Sequence, residues 1–156
     1  MKKPLHLIIE GPDKIGKTTV CELLSKKLKI PVIKMQDMPK HFSEPELPSE
    51  VFNKALVQFK DFSFICDRGY PSSIVYSRHF SRDYNLSYIK DIEKQLDPII
   101  VVLVGQTRGD DDLVTKEDQR LLMNHYILEA SIHGWKRILV DGKTPAQICK
   151  EILDYV

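Results

Sequence analysis

Gly11-Pro12-Asp13-Lys14-Ile15-Gly16-Lys17-Thr18-Thr19 decides how this 156-residue chain is read. The apolar run Leu5 to Ile9 precedes it and stops at Glu10, and Val20, Leu23, Leu24 and Leu28 follow at helical spacing. The stretch thus fits G-x-x-x-x-G-K-[ST] between a strand and a helix. Gly11 and Gly16 let the backbone curl until its N–H groups face inward, and with the helix N-terminus these make a cradle for phosphate. In such a loop the Lys17 ammonium lies against the β- and γ-phosphates and the Thr18 hydroxyl reaches Mg2+. The motif predicts a P-loop NTPase fold, with a nucleoside triphosphate held by Gly11, Asp13, Lys14, Ile15, Gly16, Lys17, Thr18 and Thr19.

Outward from this loop, short apolar runs alternate with longer amphipathic stretches. The runs are Leu5 to Ile9, Ile30 to Ile33, Phe62 to Cys66, Ile99 to Val104 and Ile138 to Val140. Ile99-Ile100-Val101-Val102-Leu103-Val104 is apolar on both faces and rich in β-branched residues, as a buried parallel strand requires. Helices are expected at about 17–29, 49–60, 71–80, 85–95, 114–131 and 144–155. Thr144-Pro145 opens the last with a capping threonine and a proline at the first helical position. This alternation predicts an α/β fold, a three-layer α/β/α sandwich whose parallel sheet is covered on both faces. Met38 to Ser49, with three prolines, and Gln106 to Asp112, polar and acidic, read as loops after strands, where ligands bind in open α/β sheets.

A second segment, Phe64-Ile65-Cys66-Asp67-Arg68-Gly69-Tyr70-Pro71-Ser72-Ser73-Ile74-Val75-Tyr76, brings a carboxylate and a guanidinium to the end of a buried strand. Two uses of Asp67 are open: holding Mg2+ through water, or taking a proton from an acceptor. The planar fork of Arg68 suits phosphoryl oxygens.

The two segments together resemble the thymidylate kinase group of nucleoside monophosphate kinases, whose pattern is G-x-D-[KR]-x-G-K-[ST]-T and later D-R-x-x-x-S-S-x-x-Y. This chain supplies Gly11, Asp13, Lys14, Gly16, Lys17, Thr18 and Thr19, then Asp67, Arg68, Ser72, Ser73 and Tyr76. The resemblance implies a five-stranded parallel sheet and transfer of the ATP γ-phosphoryl group to a deoxynucleoside monophosphate. It implies that Asp13 accepts the deoxyribose 3′-hydroxyl and that Lys14 stands where many such enzymes carry a catalytic arginine. Arg68 would hold the acceptor phosphate, Tyr76 would pack against the sugar, and Ser72 and Ser73 would line the acceptor side. Phe52 has two readings, a base-stacking residue or a core aromatic on a short helix. The acceptor half is shorter than in that group, and Ser77 stands where it often has glutamine. Dimers are common in the group, so a homodimer is compatible with the resemblance.

Where related kinases close a lid, here about residues 106–116, Arg108 beside Gly109 is the natural cation to swing onto the β/γ-phosphates. Asp110, Asp111 and Asp112 would repel phosphate and are expected in solvent. Lys14, Lys17, Asp67, Arg68 and Arg108 form the expected catalytic set, with Thr18 and Asp67 for the metal.

Composition excludes much else. The length fits one domain, residues 1–156. With 42% apolar and 29% charged residues the chain is neither disordered nor a membrane protein. Its 23 Lys+Arg against 22 Asp+Glu leave a net charge of +1, too little for extended nucleic-acid binding. Cys21, Cys66 and Cys149 are odd in number and lack C-x-x-C spacing, which points to buried thiols in a reducing compartment. The five histidines lack metal-ligand spacing. The amino-terminal apolar run is too short for a signal peptide, so a cytoplasmic protein is expected. Three functions compete: an ATP-dependent deoxynucleotide kinase, a kinase of a hydroxyl on a nucleoside, modified base or polynucleotide end, and a non-enzymatic nucleotide-binding module. No N-K-x-D-like signal supports the third; the fourth-strand region reads Leu103-Val104-Gly105-Gln106.

Overall fold

A computed structural model describes residues 2–12, 14–34, 48–79, 81, 86–106 and 116–156. Five parallel strands, β1 (His6–Glu10), β2 (Val32–Lys34), β3 (Phe64–Asp67), β4 (Ile99–Val104) and β5 (Lys136–Leu139), form one sheet in the order β2-β3-β1-β4-β5. The helices between and after them are α1 (Lys17–Leu28), α2 (Pro48–Leu56, followed by a 3-10 turn at Val57–Phe59), α3 (Tyr70–His79), α4 (Tyr88–Leu96), α5 (Lys116–His133) and α6 (Pro145–Leu153).

The period-2 alternation of the strands divides the core in two. Leu7, Ile9, Ile65, Val101 and Leu103 point to one face, where Val20, Cys21 and Leu24 of α1 and Ile148, Cys149 and Ile152 of α6 cover them. Ile8, Phe64, Cys66, Ile100 and Val102 point to the other, beneath α2, α3, α4 and α5. Helices on both faces and five parallel strands are the expected three-layer sandwich. All three thiols are free and buried, as expected for this core. No helix among the described residues is long and apolar enough to cross a membrane.

Element boundaries differ from the apolar runs where packing overrides them. Phe62 opens the third run, yet it is 67% exposed and β3 begins at Phe64. The last strand starts at Lys136, two residues before Ile138, because Val101 and Val102 pair with Lys136 and Arg137. It is an edge strand with one buried residue, so it carries almost no apolar signal. The start of α6 matches its sequence: Thr144 accepts from the Gln147 N–H while the Gln147 side chain accepts from the Thr144 N–H. A cap of this kind stabilises a helix by about 1 kcal/mol.

Strand order fixes where a ligand can sit. β1 lies between β3 and β4, and the chain leaves β1 toward β2 but leaves β4 toward β5. The crevice of an open α/β sheet opens at such a reversal, outside the carboxyl ends of the strands. Glu10, Asp67 and Val104 end their strands there.

Candidate functional site

The phosphate loop leaves β1 at Gly11, whose φ is +143°. A Cβ there would stand 2.8 Å from the Leu103 carbonyl oxygen of β4, so only glycine fits. Ile15 is buried with the α1/α6 core and anchors the loop. Gly16, at φ +101°, turns into α1, and no described side chain caps that helix. Its first N–H groups therefore face the loop, with the positive end of the helix dipole behind them. Lys14 is exposed and takes a left-handed backbone with φ +64°. Lys17 is only 7% exposed, and its Nζ donates a 2.7 Å hydrogen bond to the Pro12 carbonyl.

β3 delivers the second half of the site. Asp67 lies level with Ile9 of β1 and Lys34 of β2. Thr18 Oγ1, exposed at the start of α1, donates to Asp67 Oδ2 at 3.0 Å. A hydroxyl and a carboxylate so placed fit Mg2+, which takes one or two carboxylates beside water and phosphate oxygens. Among the described residues no cluster of three or more His, Cys, Asp or Glu offers a rival metal site. The next residue, Arg68, has φ +69°, a conformation costly for a side chain with a Cβ. Its N–H donates to the Ile9 carbonyl at 3.0 Å, and its guanidinium donates to the Tyr76 hydroxyl at 3.0 Å while lying 5.5 Å from that ring.

Beneath these groups lies a carboxylate that the sequence reading passed over. Glu10 is fully buried; its Oε1 accepts the Gly69 N–H at 2.7 Å and the Ser72 N–H at 3.3 Å. Its Oε2 accepts the Ser72 hydroxyl at 2.5 Å, with the Tyr126 hydroxyl of α5 at 3.5 Å. Burial raises the Glu10 carboxyl above its ordinary range, against the opposing pull of these hydrogen bonds and of the Arg68 and Lys17 charges. Burial pushes the Tyr126 phenol well up in the same way.

A cavity of about 400 Å³ opens beside the loop, between Gly16, Thr19 and Val20 on one side and Val140, Asp141, Lys143 and Thr144 on the other. Asp141 Oδ1 accepts the Gln106 N–H at 2.8 Å and so joins the end of β4 to the β5–α6 turn.

YorR, an SPbeta prophage-derived uncharacterized protein of Bacillus subtilis (strain 168), is 32% identical over 130 aligned positions that cover 74% of this chain and 76% of that one. The chain belongs to the YorR family. No family model matches it. Among solved structures, Bacillus subtilis YorR in complex with phosphorylated GDP superposes with a TM-score of 0.69 at 21% identity, covering 96% of this chain and 94% of that one. Thymidylate kinase from Candida albicans gives 0.63 at 18% identity over 98% and 91% of the two chains. Deoxyadenosine kinase from M. mycoides, solved with dCMP and a flexible dCDP, gives 0.58 at 17% identity over 97% and 98%. The fold is therefore that of the P-loop nucleotide kinases.

In this YorR-family chain the structure brings together Lys17, Thr18, Asp67, Arg68 and Tyr76, and it engages four other expected residues in the packing of the fold. Phe52, one reading of which had it stacking on an acceptor base, is 1% exposed and packs in the core under α2, so it has no face to offer. Ser72, expected on the acceptor side, is spent on Glu10 and Tyr126. The Ile15 side chain is core, which leaves its backbone alone to the loop. Ser73 accepts a 3.2 Å hydrogen bond from Asn53 and ties α3 to α2. Asp13, Arg108, Asp110, Asp111 and Asp112, with most of the expected lid, lie outside the described residues. Two features escaped sequence reading. Glu10 carries a signal, a charge closing the central strand; the cavity at Asp141 has only the Asp141-Gly142 turn before Thr144.

Proposed function

We propose that this chain is an ATP-dependent phosphotransferase that moves the γ-phosphoryl group to a deoxynucleoside monophosphate, in the manner of the thymidylate kinases. One observation carries the reading: the Thr18–Asp67 pair at the phosphate loop stands directly beside Arg68, a cation whose guanidinium donates to the Tyr76 hydroxyl. A donor clamp and a second phosphate-binding cation one residue apart are what in-line transfer between two phosphates needs.

Lys17 exchanges its neutral partner, the Pro12 carbonyl, for phosphate oxygens, which form the stronger charge-assisted bond. Thr18 and Asp67 would hold Mg2+, which would supply positive charge against the triphosphate. Arg68 orients the acceptor phosphate, and Lys14 with Arg108 supplies further positive charge around the migrating group. The acceptor oxygen of a monophosphate is already ionised, so no general base is required. The 400 Å³ cavity has the size for the donor base. Asp13 is assigned the sugar 3′-hydroxyl.

The deoxyadenosine kinase neighbour favours a second reading, a hydroxyl acceptor with Asp67 as base. The hydrogen bond that sets Asp67 beside Thr18 supports a metal-ligand role for it over that of a base, which favours the monophosphate. The phosphorylated GDP held by YorR adds guanine nucleotides to the substrates worth testing.

The test is ADP release with ATP and Mg2+ against a panel of deoxynucleoside monophosphates, guanine nucleotides, nucleosides and 5′-hydroxyl oligonucleotides. Turnover with monophosphates is the expected result. Turnover with hydroxyl acceptors alone establishes the second reading, and ATP binding without turnover on any acceptor overturns both.

A further inference from the structure

Glu10 is the last residue of the central strand and the immediate neighbour of Gly11, so it belongs to the same rigid backbone as the donor loop. Its carboxylate reaches across to the first N–H groups of α3, which begins at Tyr70 just after Arg68. A helix needing only a cap would carry Ser, Thr, Asp or Asn at its own N-terminus, an arrangement that leaves no charge in the core. Here the cap comes from another strand, and it is a fully buried carboxylate.

We infer that Glu10 is a positioning residue: through Gly69 and Ser72 it holds the Arg68 turn at a fixed distance from the phosphate loop, with Tyr126 as its brace. Arg68 is anchored to β1 on both sides of its left-handed backbone, by its own N–H on Ile9 O and by the Gly69 N–H on Glu10 Oε1. Gly69 permits this approach, since a Cβ on it would come within 3.3 Å of Ile8. The Ser72 hydroxyl sits between Glu10 Oε2 and the Tyr126 hydroxyl, 2.9 Å from the latter, so α5 fixes the orientation of the carboxylate. The Gly69 and Ser72 N–H groups and the Ser72 and Tyr126 hydroxyls all donate to Glu10, which suits an acceptor-only carboxylate.

The competing role for Glu10 is a bare counter-charge between Lys17 and Arg68, the two cations acting on it. The two roles predict opposite signs. Neutralising a counter-charge makes the site more positive and tightens polyphosphate binding without harming the acceptor. Releasing a positioned arginine lowers acceptor turnover, because misplacing a reacting partner by about 1 Å costs up to roughly 100-fold.

The inference rests on the phosphotransferase reading, so the experiment has one arm that needs turnover and one that does not. In the full chain carrying Glu10→Gln, kcat/KM for the acceptor is expected to fall roughly 10- to 100-fold while KM for ATP stays level or drops. Tyr126→Phe, which leaves the carboxylate in place, is expected to lose roughly 3- to 10-fold in the same parameter. It serves alone if Glu10→Gln does not fold. In the second arm, amide hydrogen exchange at Gly69 and Ser72 is expected to quicken in both variants, since a charged acceptor or its brace has been removed. An acceptor kcat/KM within twofold of wild type overturns the inference, and so does an equal loss for donor and acceptor. A wild-type chain that phosphorylates nothing overturns the function instead; the inference then stands or falls on the exchange rates alone.

Discussion

Thr18 and Asp67, 49 residues apart in the chain, meet in a 3.0 Å hydrogen bond from the threonine hydroxyl to Asp67 Oδ2. The contact joins the first turn of α1 to the end of β3, and parallel pairing of β1 with β3 sets its length by placing Asp67 level with Ile9. A rigid sheet is thus the ruler for the pair proposed to hold the metal.

Asp67→Asn keeps the shape of that pair and removes its charge. Binding of metal-free ATP is expected to remain within about twofold of wild type, because the loop backbone and Lys17 are untouched. Turnover at a fixed Mg2+ concentration is expected to fall by about 100-fold or more. Calorimetry with and without Mg2+, beside an ADP-release assay, measures both. An unchanged Mg2+ dependence removes Asp67 from the metal site.

Tyr76→Phe separates the two ways in which that residue holds Arg68. The ring, 5.5 Å from the guanidinium, stays, and the hydroxyl that accepts the 3.0 Å bond is lost. A hydrogen bond to a charged group contributes about 1.5–3 kcal/mol, which corresponds to roughly 10- to 150-fold in acceptor KM. KM for ATP is expected to be unchanged. Equal shifts in both KM values would show that Tyr76 supports the fold and not Arg68.

The contrast between Thr18 and Phe52 shows what a sequence can reveal of such a site. Thr18, Lys17 and Gly16 lie in one continuous stretch that matches the spacing a polyphosphate-binding loop requires, so the roles proposed for them follow from local order. The capping pair Thr144 and Gln147 is legible for the same reason. Ser72 has a role set by Glu10, far away in sequence, and no spacing rule announces it; Phe52 reads from the sequence as either a base-stacking residue or a core aromatic, and only its distant neighbours in the core decide for the second. The cavity beside Asp141 is less visible still, since its walls come from the start of α1, the end of β4 and the β5–α6 turn.

Phe52→Ala tests the core assignment directly. Truncating a phenylalanine that is 1% exposed costs about 3–5 kcal/mol through lost burial and the cavity left behind. Urea denaturation is expected to show that loss, with acceptor KM in the remaining folded protein near wild type. A raised acceptor KM with little loss of stability would return Phe52 to the acceptor site.

Glu10 leads to a pH dependence whose sign is opposite to that of most carboxylates. Burial lifts its carboxyl above the ordinary 4.5, while the Arg68 and Lys17 charges and the Ser72 and Gly69 hydrogen bonds pull it back only in part. Tyr126, Cys66 and Tyr70, the other titratable groups influenced by it, have their own values pushed well up, chiefly by burial, and stay neutral. The unfolded chain therefore releases this proton at a lower pH than the folded chain does. Below about 4.5 both states hold the proton and its contribution to stability is complete; as pH rises through the higher folded value that contribution is lost. Glu10→Gln has no such proton. The difference in unfolding free energy, wild type minus variant, is expected to decline with rising pH by at most about 1.4 kcal/mol per unit. Urea titrations of both proteins between about pH 4 and 8 measure it. A difference that stays flat or grows with pH would mean that the hydrogen bonds and the two cations outweigh burial at this carboxylate.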